Sequence, residues 1–109
     1  HSMALSVKFR LKPSPAEAER VLADFRAPAD VQRLPSAPQY PLLVRREADR
    51  PQPRRDRDAG NGMSISVGRI RPCNLFDLRM ISVVHNTIRG AAGGSVLNAE
   101  LLHAKGLLD

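Results

Sequence analysis

The chain has 109 residues, a formal net charge of +6, nine Pro, no Trp, one Tyr, three Phe and a single Cys. That length suits one domain, but so few large side chains leave little with which to fill a core. One cysteine excludes an internal disulfide framework and no apolar run reaches the ~20 residues that span a bilayer, so the expectation is a soluble cytoplasmic protein, with a plastid also compatible.

Residues 3–11 alternate, with Leu5, Val7, Phe9 and Leu11 to one side and Ser6, Lys8 and Arg10 to the other, which predicts a half-buried strand. Ser14-Pro15-Ala16-Glu17 then reads as a helix start. Ser14 caps, Pro15 suits the first helical position and Glu17 reaches back to complete a capping box. Ala18, Val21, Leu22 and Phe25 follow at helical spacing, so a helix over 15–26 packs one face on a sheet until Pro28 ends it.

Residues 28–62 form a long Pro/Arg-rich loop in which Pro35, Pro38, Pro41, Pro51 and Pro53 forbid long regular elements, and only 42–45 is strand-like. A connection of this length normally performs a function or lies against a neighbour. Its Arg45, Arg46, Arg50, Arg54, Arg55 and Arg57 are interleaved with Glu47, Asp49, Asp56 and Asp58, with no aromatic ring among them. That pattern reads as a solvated or interface loop rather than a nucleic-acid platform, which pairs cations with stacking rings.

Gly60-Asn61-Gly62 makes a turn, after which 63–71 and 75–84 predict an antiparallel hairpin broken at Pro72-Cys73-Asn74. A Gly/Ala-rich turn from Arg89 to Gly94 opens an apolar helix over 91–105, with Leu97, Leu101, Ala104 and Leu108 on one side and Gly106 as C-cap. The sum is an α+β fold: a mixed or antiparallel sheet with flanking helices.

The strand that ends in His85-Asn86-Thr87 feeds a glycine-rich helix start, which leaves backbone N–H groups and a positive dipole end beside whatever binds there. Asn86 offers a side-chain donor and acceptor to a ligand amide, or is a plain helix-entry residue. Gly93 and Gly94 allow close backbone approach, although the run lacks the spacing of either nucleotide-loop fingerprint. Arg89 either grips phosphate or holds the helix, and Asn98 reads as a structural hydrogen-bonding residue. The His1 imidazole is suited to moving a proton in either direction of a reaction; a start of His-Ser-Met is also that of a cloning remnant. Cys73 has no His near it in sequence, and His85 and His103 have no Cys or carboxylate at ligand spacing, so neither a thiol nucleophile nor a metal site is expected.

VGRIRPC at 67–73 and HNTIRGAAGGSVLNAELL at 85–102 resemble the carboxyl-terminal end of the aspartate-semialdehyde dehydrogenases, in the form shared by archaea, fungi and some protists. The opening HSMALSVKF is similar to the tail of that family's signature, where an essential His precedes a small residue and a strand. PSAP at 35–38 and DRPQPRxDRxxGxGM at 49–63 resemble it between the two ends.

The resemblance implies that 1–88 is part of a glyceraldehyde-phosphate-dehydrogenase-like catalytic and dimerisation domain. It implies also that 89–109 is a helix returning to a Rossmann domain outside the chain. It implies NADP as cofactor, His1 as the acid/base, and Asn86, Gly93 and Gly94 near the nicotinamide. Bacterial relatives carry Asn where this chain has Gly94, which leaves only backbone approach there. The implied partners are the remainder of the same enzyme, with its nucleophilic Cys and substrate-gripping Arg, a second copy in a homo-oligomer and a small-molecule substrate, and neither nucleic acid nor membrane. On this reading the chain is the last third of a longer one and is inactive and poorly folded or self-associating by itself. A malonyl- or succinyl-CoA reductase of the same scaffold, or a non-catalytic subunit-interaction fragment, are the alternatives.

Overall fold

The structure, a computed structural model, describes residues 1–108. In chain order it has β1 (Ser2–Val7), α1 (Pro15–Asp24), α2 (Ala29–Gln32), β2 (Leu42–Arg45), α3 (Pro53–Asp56), β3 (Ile65–Pro72), β4 (Leu78–Val83), a π-helical turn (Ile88–Ala92) and α4 (Gly93–Ala104). The four strands form one sheet in the order β1-β4-β3-β2. β4 pairs antiparallel with β1 and with β3, while β2 adds to β3 in parallel, Leu42 opposite Ile65 and Arg45 opposite Gly68.

Local chemistry sets most of the boundaries. The capping box of α1 is complete: Glu17 N–H donates to Ser14 Oγ at 3.2 Å and Ser14 N–H donates to Glu17 Oε2 at 2.7 Å. That Ser14 amide holds the Glu17 carboxyl below its usual range. The helix closes at Asp24, two residues before the expected end, because Phe25 turns extended and the Arg26 guanidinium takes the Ala23 and Phe25 carbonyls.

β1 stops at Val7 rather than at Leu11 because Asp77 competes for the chain: its N–H donates to Val7 O at 3.1 Å and its Oδ2 accepts Phe9 N–H at 2.7 Å. β3 begins at Ile65, after Ser64 Oγ has donated to Tyr40 O at 2.6 Å and Met63 has turned into a core. The hairpin carries a bulge between Gly68 and Arg71, where Arg69 sits at φ 54° and its guanidinium donates to Ala48 O.

Paired residues share a face, so Met3, Leu5, Met80, Ser82, Val67 and Val44 point one way, while Ala4, Ile81, Val83, Ser66 and Arg45 point the other. Helix α1 lies against β2 and β3 on the first face. It packs mainly on those two strands, and Met3 and Leu5 point to the expected side but stay 41% and 38% exposed.

The Pro/Arg-rich loop covers the opposite face around a buried carboxylate. Asp56 is fully buried; it accepts from Arg50 Nε at 2.8 Å, Arg50 Nη2 at 2.5 Å and Gln52 N–H at 2.6 Å, and Arg45 Nε lies 2.8 Å from its Oδ1. The Arg50 guanidinium, helped by the Gln52 amide, holds the Asp56 carboxyl down at about 2 although burial pushes the other way.

A hydrophobic core joins α4 to the segment around α2. Leu34, Met63 and Leu97 are buried together, with Val31, Ala37, Ile88 and Leu101 packed on them. The Glu100 carboxylate adds a polar latch, accepting Ser36 N–H at 3.0 Å and Ser36 Oγ–H at 2.7 Å. Gly106, at φ 69°, closes α4 through its N–H to His103 O, and Leu107 N–H returns to Leu102 O.

The result is a slab of 51 × 32 × 19 Å with a Cα radius of gyration of 15.3 Å, against roughly 13 Å for a compact domain of this length. Among the described residues six apolar side chains are buried and thirteen large ones are exposed.

Asp56→Asn is expected to cost about 3 kcal/mol of stability, because it leaves two guanidinium groups over a neutral amide; urea unfolding checks this. The depressed folded-state carboxyl contributes stability that is complete above the ordinary carboxylate range of ~4. That contribution is lost as pH falls toward about 2. Acid unfolding of the Asn variant is expected to lack that component.

Candidate functional site

The sheet ends at one edge where β1 begins and β4 finishes. His1 extends the ladder by one residue pair: its backbone nitrogen donates to Val84 O at 2.7 Å and Val84 N–H donates to His1 O at 2.9 Å. The β1–β4 register therefore sets His1 directly opposite Val84, two residues before Asn86. Both His1 and Asn86 are exposed.

Beyond Val84 the chain does not continue as strand. His85 carbonyl accepts Gly90 N–H at 3.1 Å and Thr87 carbonyl accepts Ala92 N–H at 3.0 Å, a five-residue spacing that produces the π-turn before α4. The His85 side chain closes the start of that turn, its Nδ1 accepting Ile88 N–H at 3.2 Å with Thr87 Oγ1 at 3.4 Å. Its Nε2 faces Asp58 Oδ1 at 3.8 Å, and Asp58 is itself paired with Arg57 at 3.3 Å. Sequence reasoning assigned His85 no part; its only signal was a position three residues before the helical run.

Glycines leave this junction bare. A Cβ on Gly90 would meet Asn86 Oδ1 at 3.7 Å, so the Asn86 carboxamide lies over the open side of that residue. Gly93 and Gly94 are separated by their helical angle. Gly93 turns inward against the Met63 sulfur and Ile88 and lines a cleft with Pro35–Gln39, Gly60 and Asn61. Gly94 turns outward into a polar groove with Arg89, Ser95 and Asn98, and its missing Cβ clears Arg89 O, which would otherwise lie 2.7 Å away. Asn98 is exposed along that groove. The structure thus brings His1 and Asn86 to one strand end and spreads the two glycines over the two flanks of the helix start.

Cys73 lies in the turn between β3 and β4, at the far end of the sheet. Six residue steps separate Leu78 from Val84, which at roughly 3.3 Å each is about 20 Å. The Phe76 amide, then the Leu75 amide, lower the Cys73 thiol from its usual value, but no imidazole of this edge reaches it. Among the described residues no group of three metal-ligating side chains converges, and no helix is long and apolar enough to cross a membrane.

Residues 1–89 match the family described as semialdehyde dehydrogenase, dimerisation domain. The chain is 51% identical over 102 residues to an aspartate-semialdehyde dehydrogenase of Archaeoglobus fulgidus, covering 94% of this chain and 29% of that protein. It is 47% identical over 90 residues to a malonyl CoA reductase (NADP) of Metallosphaera sedula, covering 81% of this chain and 25% of the other. In structure it is similar to the aspartate semialdehyde dehydrogenase of Candida albicans solved with NADP, at 41% identity and a TM-score of 0.85 over 98% of this chain and 30% of that one. The chain spans about three-tenths of the length of the relatives it matches.

The glycine geometry separates two otherwise similar substitutions. Gly94→Ala is expected to cost about 1–3 kcal/mol in spite of alanine's better helix propensity, since the new methyl meets a backbone carbonyl. Gly90→Ala, whose methyl makes an ordinary contact, is expected to be neutral or slightly stabilising. Denaturant midpoints of the two variants check the difference.

Proposed function

The chain belongs to the semialdehyde dehydrogenase family, and on that premise we propose that it supplies the carboxyl-terminal part of the catalytic and dimerisation domain of an aspartate-semialdehyde dehydrogenase. The reaction is the NADPH-dependent reductive dephosphorylation of L-aspartyl-4-phosphate to L-aspartate 4-semialdehyde and phosphate, on the route to lysine, methionine and threonine. The observation that carries this reading is the pairing of His1 with Val84, which ties a proton-transferring side chain to the strand end that bears Asn86. Identity to aspartate-semialdehyde dehydrogenases over almost the whole chain supports it.

The residues present suit a nicotinamide. Asn86 is exposed beside Gly90, with no side chain on that glycine to obstruct its amide, and a carboxamide's donor and acceptor complement those of another carboxamide. The Gly94 side of the helix start gives backbone access along a polar groove, while Gly93 lines the cleft packed against Met63 and Ile88. NADPH supplies the hydride when bound. His1 acts as the acid/base, holding a proton near the substrate oxygen and giving or taking it as the carbon–oxygen bond order changes. The nucleophilic thiol and the substrate-binding Arg come from the remainder of the enzyme, because Cys73 sits at the wrong end of the sheet.

The same reading makes the protein a cytoplasmic homo-oligomer and the isolated chain inactive. Its exposed β1 side chains Met3 and Leu5, and the outer residues Val96 and Leu102 of α4, are surfaces for the rest of the enzyme or a second copy. Likeness to a malonyl CoA reductase favours a second reading, reduction of an acyl-CoA thioester on the same scaffold. Steady-state assays of the complete enzyme with aspartate semialdehyde plus phosphate, and with malonyl-CoA, decide between them.

His1→Ala in the complete enzyme is expected to lower kcat by about 10²–10⁴ with little change in Tm; near-wild-type, phosphate-dependent NADPH formation from aspartate semialdehyde would refute the role. Asn86→Ala is expected to weaken NADP binding about tenfold, the loss of one well-placed amide pair, measured by fluorescence titration.

A further inference from the structure

We propose that His85 is a positioning residue whose Nδ1, kept free of a proton, fixes the strand-to-helix junction in the shape that presents Asn86. The inference rests on the cofactor reading of Asn86 given above. It uses a contact that reading does not need: the hydrogen bond from Ile88 N–H to His85 Nδ1 at 3.2 Å.

A ring nitrogen that accepts an amide N–H carries no hydrogen, so the imidazole proton belongs on Nε2. Nε2 faces Asp58 Oδ1 at 3.8 Å, a carboxylate that matches an N–H on that side, and Arg57 at 3.3 Å from Asp58 moderates its charge. Thr87 Oγ1, at 3.4 Å, completes the surroundings of Nδ1 and is suited to donate to it.

The geometry makes the residue a clamp with two points of attachment. The His85 carbonyl takes Gly90 N–H in a bond of the π-turn itself, and its side chain takes Ile88 N–H, one of the donors that a helix start leaves free. Asn86 is the next residue, and its Oδ1 lies over Gly90. If the clamp is lost, the residues under the Asn86 amide are free to move while the sheet and the α4 core stay intact. The bond spans three residues, the same spacing and the same 3.2 Å length as the Ser14 cap of α1. Asn places an oxygen where His has Nδ1, whereas Gln places its polar atoms near the position of Nε2.

The test uses the complete enzyme and NADP as probe, with wild type, His85→Ala, His85→Asn, His85→Gln and Asn86→Ala compared by fluorescence titration and kcat. The expected result is an NADP Kd raised about tenfold in the Ala and Gln variants, with kcat at saturating cofactor within about twofold of wild type. In the Asn variant Kd is expected to stay within about twofold. Nitrogen-15 shifts of the His85 ring are expected to report a pyridine-like Nδ1.

A proton on Nδ1, an Asn variant as weak as Ala, or Ala and Gln variants that bind like wild type would each overturn the proposal. If Asn86→Ala is weakened and the His85 variants are not, the clamp alone falls. If Asn86→Ala binds as wild type, the cofactor reading falls and takes the clamp with it.

Discussion

A carboxylate with no access to solvent must be paired, and Asp56 organises the loop around it by meeting that demand. Arg50 supplies two hydrogen bonds from the loop, Gln52 an amide from the start of α3, and Arg45 a cation from the last residue of β2. These three partners, two donors and one cation, lie on successive parts of one stretch, so satisfying one oxygen pair folds residues 45–56 into a bracket over the sheet. The bracket's next residues return to the edge where β4 ends. Asp58 there faces His85, and the Gly60-Asn61-Gly62 turn, with φ of 58°, 56° and 80°, lowers Met63 into the core with Leu34 and Leu97. Polar pairing far from the candidate site thereby fixes two of the walls around it.

Elements governed by local rules were legible in the sequence. The capping box of Ser14 and Glu17 is present as expected, β2 occupies 42–45 residue for residue, and the β3–β4 hairpin is antiparallel. Where boundaries moved, a distant group had outbid the local pattern, as Asp77 did for the end of β1. The charge-rich loop was harder. Alternating Arg and acidic residues look the same whether all are solvated or one is buried, and periodicity carries no signal that singles out Asp56 from Asp49 or Asp58.

The same limit applies at the junction. Caps are read from Ser, Thr, Asp and Asn, so an Asn-Thr pair before a helix draws attention away from the imidazole that takes the first amide. The glycine run was legible as small but not as to purpose. Gly93 is small for Met63 and Gly94 for a carbonyl of its own turn, whereas a Cβ on Gly90 would make only ordinary contact with the Asn86 amide.

The apolar core is unequal to the apolar surface left open. α4 presents Leu97 and Leu101 inward, yet Val96 and Leu102 stay outside, so the helix is apolar on more than one side. A helix of that kind is stable when both sides are covered. Within the chain its orientation relies on polar latches, the Glu100–Ser36 pair and Lys105 with Asp30 at 3.5 Å, which hold direction without consuming apolar area. The sheet edge follows the same logic. His1 and Asn86 are placed by backbone hydrogen bonds and by a turn closed with His85, none of which needs the exposed Met3 or Leu5. Position of the polar groups and burial of the apolar ones are therefore carried by different residues, so a partner is able to cover the hydrophobic faces without disturbing the strand end at which chemistry is proposed.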